Sequence, residues 1–180
     1  VSQHRNTRIY FGANKLFRSD DRGNTWKAVS GDLSRQLDRN KLPIMGKVWS
    51  VDAVAKNEST DIFGQLTTVA ESKFDENMLI AGTDDGLIHI TTDGGSNWTK
   101  IDNIPGVPAN TYVNQVITSL HDKNTVYATF NHHRYGDFNP YVFVSKDAGK
   151  TWKAIQNNLP ARGTAYSIAE DHVNPSLLFI

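Results

Sequence analysis

The sequence SKDAGKTW, at residues 145–152, decides how this chain folds, because it occurs three times in closely related forms. The other copies are SDDRGNTW at residues 19–26 and TTDGGSNW at residues 91–98. A pattern that recurs at the same place in successive units indicates a repeat architecture. The shared positions are Ser19, Asp21, Gly23, Trp26, Thr91, Asp93, Gly95, Trp98, Ser145, Asp147, Gly149 and Trp152.

The residue types in this pattern are those of a tight turn between two strands. An aspartate carboxylate accepts hydrogen bonds from nearby backbone N–H groups, and glycine reaches positive φ without steric cost. We expect each tryptophan to be a core residue between adjacent sheets. Repeats related by rotation carry one such aspartate each, so Asp21, Asp93 and Asp147 do not converge on one point. We therefore interpret these aspartates as structural, rather than catalytic or metal-binding.

Short apolar runs flank every copy and divide the chain into units. If Tyr10, Ile80, Tyr127 and Phe179 are equivalent, the units repeat about every 50 residues, which is the length of a propeller blade. Apolar runs bounded by Gly, Asn and Asp turns are typical of strands. The predicted strands are 64–72, 78–83, 87–91 and 97–101 in one unit, 112–119, 125–131, 141–145 and 151–155 in the next, and 165–170 after that.

These units predict an all-β chain, an incomplete β-propeller of four-stranded antiparallel blades. Residues 1–30 are assigned to a partial blade and residues 31–63 to an insert loop. Residues 64–102 and 103–156 are assigned to two full blades, and residues 157–180 to a second partial blade.

One segment also fits a helix. Val113, Val116, Ile117 and Leu120 stand at helical spacing. The equivalent segment of the preceding unit, residues 66–70, contains β-branched residues that favour a strand. We therefore predict a strand and keep a helix as the alternative.

The three copies resemble the BNR or Asp-box repeat superfamily. It includes sialidases, sortilin-type receptor domains, xyloglucan-degrading enzymes and photosystem assembly factors, and the chain looks most similar to sortilin-like and glycosyl hydrolase BNR-repeat proteins. The resemblance covers nearly the whole chain and implies the propeller fold and a secreted or periplasmic location. Residues 9–15, IYFGANK, lack the Arg-Ile-Pro motif that sialidases look to carry. The function stays open, since a propeller hosts many chemistries.

Composition and chain ends narrow the possible functions. Nineteen Lys and Arg residues balance nineteen Asp and Glu residues, which argues against nucleic acid as a partner. We expect no membrane span, no cofactor and, without cysteine, no thiol chemistry. The chain begins at Val1 and ends on an apolar run, residues 177–180, so we expect a fragment of a longer propeller or self-association through open blade edges.

The resemblance places ligands on the face opposite the Asp-box turns, where three features stand out. The insert loop carries Arg35, Asp38, Arg39, Lys41, Lys47, Trp49 and Asp52 and is either functional or a packing element. Residues 131–139 hold the binding candidates His132, His133, Arg134, Tyr135 and Asp137. This loop fits polar-ligand contact or a solvated loop better than a metal site, because adjacent histidines suit one metal poorly.

The third feature is the turn at residues 83–86, which reads TDDG. Asp-Gly is ordinary hairpin chemistry. We also keep Asp84 and Asp85 as binding candidates, because they can neighbour Arg134 across the blade boundary.

These features favour a non-catalytic scaffold or binding module that presents a polar loop face to a protein, peptide or glycan. The alternative is part of a BNR-repeat glycoside hydrolase whose catalytic carboxylates lie partly outside this segment.

Overall fold

The computed structural model describes residues 1–56 and 64–180, which form four antiparallel sheets. Two 3₁₀ turns, Arg39–Lys41 and His133–Tyr135, interrupt the loops. Within the described ranges, no helix is long and apolar enough to cross a membrane. The strands are β1 Ile9–Gly12, β2 Leu16–Ser19, β3 Lys27–Ala28, β4 Leu66–Glu71, β5 Leu79–Thr83, β6 Ile88–Thr91, β7 Thr99–Ile101, β8 Tyr112–Thr118, β9 Val126–His132, β10 Asp137–Ser145, β11 Lys153–Ala154, β12 Ala169–Glu170 and β13 Leu178–Phe179.

Each sheet is one propeller blade whose strands follow in chain order. The first blade is β1-β2-β3, the second β4-β5-β6-β7, the third β8-β9-β10-β11 and the fourth β12-β13. Strands A to D denote the four positions of a full blade, so β1 is a B strand and β12 an A strand. The predicted all-β propeller with two full and two partial blades is confirmed.

Residues 112–118 form a strand, so the helical alternative is wrong. The pairing of β8 with β9 shifts register between Val113 and Gln115, which leaves Asn114 as the extra residue of a β-bulge. Because of that extra residue, Val113 and Val116 lie on the same buried face despite standing three apart. The bulge therefore explains a spacing that imitates a helix.

The core lies between blades, because full blades bury both faces. Along β9 and β10, Ala128, Phe130 and Phe143 pack toward the second blade, against Ile80 and Ile90. The alternate residues of the same strands pack in the opposite direction, toward the fourth blade, as the two-residue period of a strand requires. This second cluster consists of Tyr127, Val142, Val144, Ala165 and Ile168.

The Asp-box turns repeat one hydrogen-bond network. In the third box, Ser145 Oγ donates to Asp147 Oδ1 at 2.7 Å and accepts from the Gly149 N–H at 2.8 Å. The Asp147 carboxylate also accepts from the hydroxyl and the backbone N–H of Thr151, and these bonds lower its pKa to about 2. Asp21 and Asp93 are held in the same way, with a pKa of about 2. All three carboxylates therefore accept hydrogen bonds within their own turns.

The glycines of the second and third boxes lie against the preceding blade. A Cβ on Gly149 would stand 2.3 Å from Ile90 Cδ1 and 3.0 Å from Ile101 Cδ1, both in the second blade. A Cβ on Gly95 would stand 2.2 Å from the carbonyl oxygen of Val29, in the first blade. Glycine is therefore required both by positive φ and by the closeness of the neighbouring blade.

The three tryptophans differ in burial. Trp98 Nε1 donates to the Val29 carbonyl of the preceding blade at 3.1 Å. Trp152 packs, partly buried, against the core between the second and third blades. Trp26 is 44% exposed, donates from Nε1 to the Gly23 carbonyl of its own box at 3.0 Å, and meets the Phe11 ring edge-on with centroids 6.2 Å apart. The prediction that Trp26 is a core residue is wrong here, because the described residues place no sheet in front of the first blade.

At alternate blade boundaries, a buried glutamate joins the two neighbouring blades. Glu71, at the end of β4, accepts from Tyr10 OH of the first blade at 2.9 Å and from Ser2 Oγ at 2.7 Å. Glu170, at the end of β12, accepts from Tyr127 OH of the third blade at 3.0 Å. At the boundary between the second and third blades, Ile80 and Thr118 take the tyrosine and glutamate positions.

The box glycine predicts a large steric effect. We expect Gly149→Ala to destabilise the chain by about 3 kcal/mol, because alanine adds strain at positive φ and collides with Ile90 and Ile101. Gly163→Ala is the control, since a Cβ there meets nothing within 4 Å. Urea unfolding measures both, and equal unfolding midpoints for the two variants would contradict the close contact.

The tyrosine–glutamate ties predict alkaline instability. Burial and the bond to Glu71 raise the pKa of Tyr10 to about 12, and burial and Glu170 also raise the pKa of Tyr127. A raised pKa means that the folded chain retains these protons, so the stabilisation is full below about pH 10 and is lost above it. We expect the urea midpoint to fall between pH 9 and pH 12, and to fall less in Tyr10→Phe and Tyr127→Phe. The exposed Tyr166→Phe is the control and should retain the full loss.

Candidate functional site

Residues 131–139 were predicted as a loop, but most of them belong to the β9–β10 hairpin. Strand β9 runs to His132, and β10 begins at Asp137, four residues before the predicted start at Tyr141. Asp137 pairs with His132 across the hairpin and accepts from Tyr141 OH at 2.6 Å. The prediction missed this extension because a register shift separates Asp137 from Tyr141, which breaks the alternating pattern.

The turn of the second blade, between β5 and β6, holds the two ends of the insert. Asp85 Oδ2 accepts from the Arg35 N–H at 2.7 Å, and Asp84 Oδ1 accepts from the N–H groups of Gly64 and Gln65 at 2.8 and 3.0 Å. Both aspartates are buried. The turn thus closes the base of a long loop, of which residues 57–63 lie outside the described residues.

A cavity of about 240 Å³ lies between this turn and the β9–β10 hairpin, at the boundary of the second and third blades. The structure brings Asp84, His132, Arg134 and Tyr135 together there, as the sequence suggested for residues on this face. It places Asp85, His133 and Asp137 outside the cavity lining. The full lining is Asp84, Asn110, Tyr112, Asn131, His132, Arg134 and Tyr135.

Two buried acceptors in this lining have no donor. Asp84 Oδ2 and Asn131 Oδ1 belong to side chains that are 95% buried, and neither atom meets a hydrogen-bond donor among the described residues. Asn131 was missed as a site residue, as were Asn110 and Tyr112. The available signal for Asn131 was a polar asparagine directly after the largely apolar run at residues 126–130.

The lining combines charge with flat ring faces. Burial raises the pKa of Asp84, and the neighbouring Asp85 carboxylate adds to that effect. Burial lowers the pKa of His132, whose Nδ1 lies 3.0 Å from Thr111 Oγ1. The His132 and Tyr135 rings stack with centroids 4.3 Å apart, and the Arg134 guanidinium lies 5.5 Å above the Tyr112 ring.

The arrangement suits hydrogen bonding better than metal binding. Among residues 1–56 and 64–180, no three His, Asp or Glu side chains are grouped so that they can hold a metal ion. The site therefore offers acceptor oxygens, a cation and ring faces to a ligand that donates hydrogen bonds.

Comparison with known proteins supports the repeat and the fold. Residues 16–29 match the family model of the BNR-Asp box repeat, and residues 143–154 match that of the BNR/Asp-box repeat. No curated protein matches the chain in sequence. The chain therefore contains BNR/Asp-box repeats at these two places, within the β-propeller fold described above.

Solved structures show the same fold at low sequence identity. An ancestral GH74 enzyme is 17% identical, with a TM-score of 0.60 over 95% of this chain and 19% of its own. The GH74 xyloglucanase from Xanthomonas campestris is 14% identical, with a TM-score of 0.61 over 96% of this chain and 24% of its own. YCF48 from Cyanidioschyzon merolae is 15% identical, with a TM-score of 0.54 over 94% of this chain and 45% of its own. The chain thus spans less than half the length of these proteins, and the likeness concerns the fold alone.

The two adjacent aspartates predict opposite responses to an isosteric change. Asp84→Asn retains the acceptor for Gly64 and Gln65 and removes a desolvated charge, so we expect an unchanged or slightly higher urea midpoint at pH 7. Asp85→Asn turns an amide donor toward Thr83 Oγ1 or the Arg35 N–H, so we expect a loss of about 1–3 kcal/mol. An equal loss in both variants would show that Asp84 is purely structural.

Proposed function

We propose that this chain is a non-catalytic binding module that holds a hydroxyl-rich ligand, a glycan, in the cavity between Asp84 and Asn131. The observation that carries the proposal is the pair of donor-free acceptors, Asp84 Oδ2 and Asn131 Oδ1. A buried acceptor without a donor costs free energy, which a ligand hydroxyl restores by donating to it.

The rest of the lining fits a sugar. Sugar hydroxyls both donate and accept, so they match acceptor oxygens beside the Arg134 guanidinium. The Tyr112 and Tyr135 rings in the lining add apolar surface, and each ring carries a polar hydroxyl group. A volume of about 240 Å³ lies below that of drug-sized pockets, so it suits one sugar residue of a longer glycan.

The insert loop is anchored beside the site, although none of its described residues lines the cavity. Arg35 Nε donates to the Asp85 carbonyl at 2.7 Å, and its Nη2 donates to the Asp102 carbonyl at 3.2 Å. These bonds fix the base of the insert beside the cavity, while Trp49 and Lys47 lie farther along the loop with the lysine 4.6 Å above the indole ring. Through Arg35, the insert therefore holds the turn that carries Asp84 and Asp85 in place.

The proposal predicts loss of ligand binding without loss of fold. We expect Asp84→Asn and Asn131→Ala to weaken glycan binding at least tenfold, because each removes an acceptor from the cavity. A glycan array followed by calorimetry on the best ligand measures this, with the exposed Asn157→Ala as the matched control. Binding of peptides but of no glycan, or wild-type affinity in both site variants, would contradict the glycan assignment.

A glycoside hydrolase is the second candidate, and the raised pKa of Asp84 favours it. A buried carboxylic acid with a raised pKa is suited to protonate a leaving group. Asp84 is the only carboxylate in the lining of this cavity among the described residues, so the second carboxylate would come from elsewhere. Hydrolysis of chromogenic glycosides that Asp84→Asn abolishes would favour this candidate over the binding module.

A further inference from the structure

His89 is a buried titratable residue at the boundary of the first and second blades. It is only 5% exposed and lies in β6 between Ile88 and Ile90, which pack toward the third blade. Its ring therefore lies on the opposite face of the sheet, toward the first blade, because side chains alternate along a strand. Neither ring nitrogen makes a well-formed hydrogen bond with the described residues. The candidate cavity does not use this side chain.

The equivalent positions of the other boxes show that packing does not require a histidine here. The residue two positions before each box is Phe17, His89 or Phe143, and its cross-strand partner is Ala28, Lys100 or Ala154. Phe143 is buried against the preceding blade, and its apolar ring avoids the cost of burying an imidazole without good hydrogen bonds. The second blade thus differs from its neighbours by a titratable ring with a cation as its cross-strand partner.

Residues Leu33 to Arg35, here called the insert base, lie next to this ring. The Leu33 backbone interacts with the His89 imidazole, and Leu33 itself is buried. The Leu33 N–H donates to the Asn14 carbonyl at 2.9 Å, and the Arg35 N–H donates to Asp85 Oδ2 at 2.7 Å. The insert base is a loop outside the four sheets, so we expect it to open at a lower cost than the strands around His89.

The surroundings of His89 favour its neutral form. Burial lowers the pKa of His89, the Leu33 backbone and Asp85 oppose this effect, and Lys100 adds to it. A histidine in the unfolded chain has a pKa of about 6.5. A lower pKa in the folded chain means that the unfolded chain takes up the proton first. The stabilisation by the neutral ring is therefore full above about pH 7 and is lost as the pH falls below the unfolded value.

The first blade also turns two titratable groups toward the second blade. Tyr10 OH donates to Glu71 at 2.9 Å, and Arg18, the cross-strand partner of Tyr10, shares its face and donates from Nε to Asp20 at 3.1 Å. Neither side chain provides an acceptor carboxylate for a protonated ring. Asp85 is the carboxylate that acts on the ring, and its oxygens already hold the insert base and the β5–β6 turn.

We propose that His89 is a pH-sensitive switch that releases the insert base in mildly acidic solution. A protonated ring brings a charge into a buried position, with Lys100 as its cross-strand partner and with poor hydrogen bonding. Water reaches the charged ring when the insert base moves away, which breaks the bonds of the Leu33 and Arg35 amides. This switch operates whether or not the cavity binds a glycan.

Hydrogen exchange of single backbone amides tests the switch in the intact chain. We expect the opening equilibrium of the Leu33 and Arg35 amides to rise about tenfold between pH 7 and pH 5, which corresponds to a difference of about one pKa unit. Amides of the third blade, such as that of Phe130, should keep their protection. In His89→Phe, which introduces the residue found at the two equivalent positions, the insert base should open equally at both pH values.

Two further variants make the outcome specific. Lys100→Ala removes a cation that disfavours the charged ring and should move the release to higher pH. His172→Gln, at an exposed position, is the control and should keep the wild-type response. Asp84 holds the other end of the insert, and a response caused by its titration would persist in His89→Phe.

A proton NMR titration of the wild-type chain is the second measurement. The His89 ring should take up its proton over the same pH range in which the insert base opens. A response that persists in His89→Phe, third-blade amides that open together with the insert base, or a ring that titrates at a different pH from the opening would overturn the proposal.

Discussion

The contact between a box glycine and the preceding blade is the constraint on which this structure depends. At Gly95 and Gly149 the neighbouring blade is too close for any side chain. The backbone of these glycines therefore sets how closely the blades approach each other. The aspartate does not touch the neighbouring blade but shapes the turn that brings the glycine there, through four hydrogen bonds in the third box. The same residues recur because the same boundary recurs.

The candidate site follows from this constraint. Strand C begins at a B–C turn and ends at an Asp-box turn, so locking one end of adjacent blades also fixes the distance between their B–C turns at the other. Asp84 on the second blade and Asn131 on the third then share one cavity, although they are far apart in sequence. The polar groups of the Asp-box turns hydrogen-bond to one another. At the opposite end of the blades, Asp84 Oδ2 and Asn131 Oδ1 accept no hydrogen bond from the described residues.

The burial of charged groups separates structural from functional candidates. Asp85 is buried with its two oxygens bonded to Thr83 and Arg35, so it holds the insert. Glu71 and Glu170 are buried and fully engaged between blades, so they join sheets. Among the described carboxylates, Asp84 alone combines burial, a raised pKa, an oxygen without a hydrogen-bond donor and a place in the lining of a cavity, which is why the proposed function centres on it.

Local chemistry was readable from the sequence, whereas most contacts between blades, apart from the closeness of Asp84 and Arg134, were not. The box positions and most strands follow from turn residues and alternating patterns, which act within a few neighbours. The bulge at Asn114 and the extension of β10 to Asp137 were not predicted, because pairing with another strand decides them. Asp84, His132, Arg134 and Tyr135 were found as loop residues, while their partners Asn131 and Tyr112 on strands were missed. The exposure of Trp26 shows the same limit, since burial of that ring requires a neighbouring sheet.

Nuclear Overhauser effects test most directly whether the glycines of the second and third boxes lie against the blade before them. We expect strong effects between the Gly149 α-protons and the δ1 methyl group of Ile90, and between the Gly95 α-protons and the β-proton of Val29. Glycine α-protons that show effects only to their own turns would contradict it.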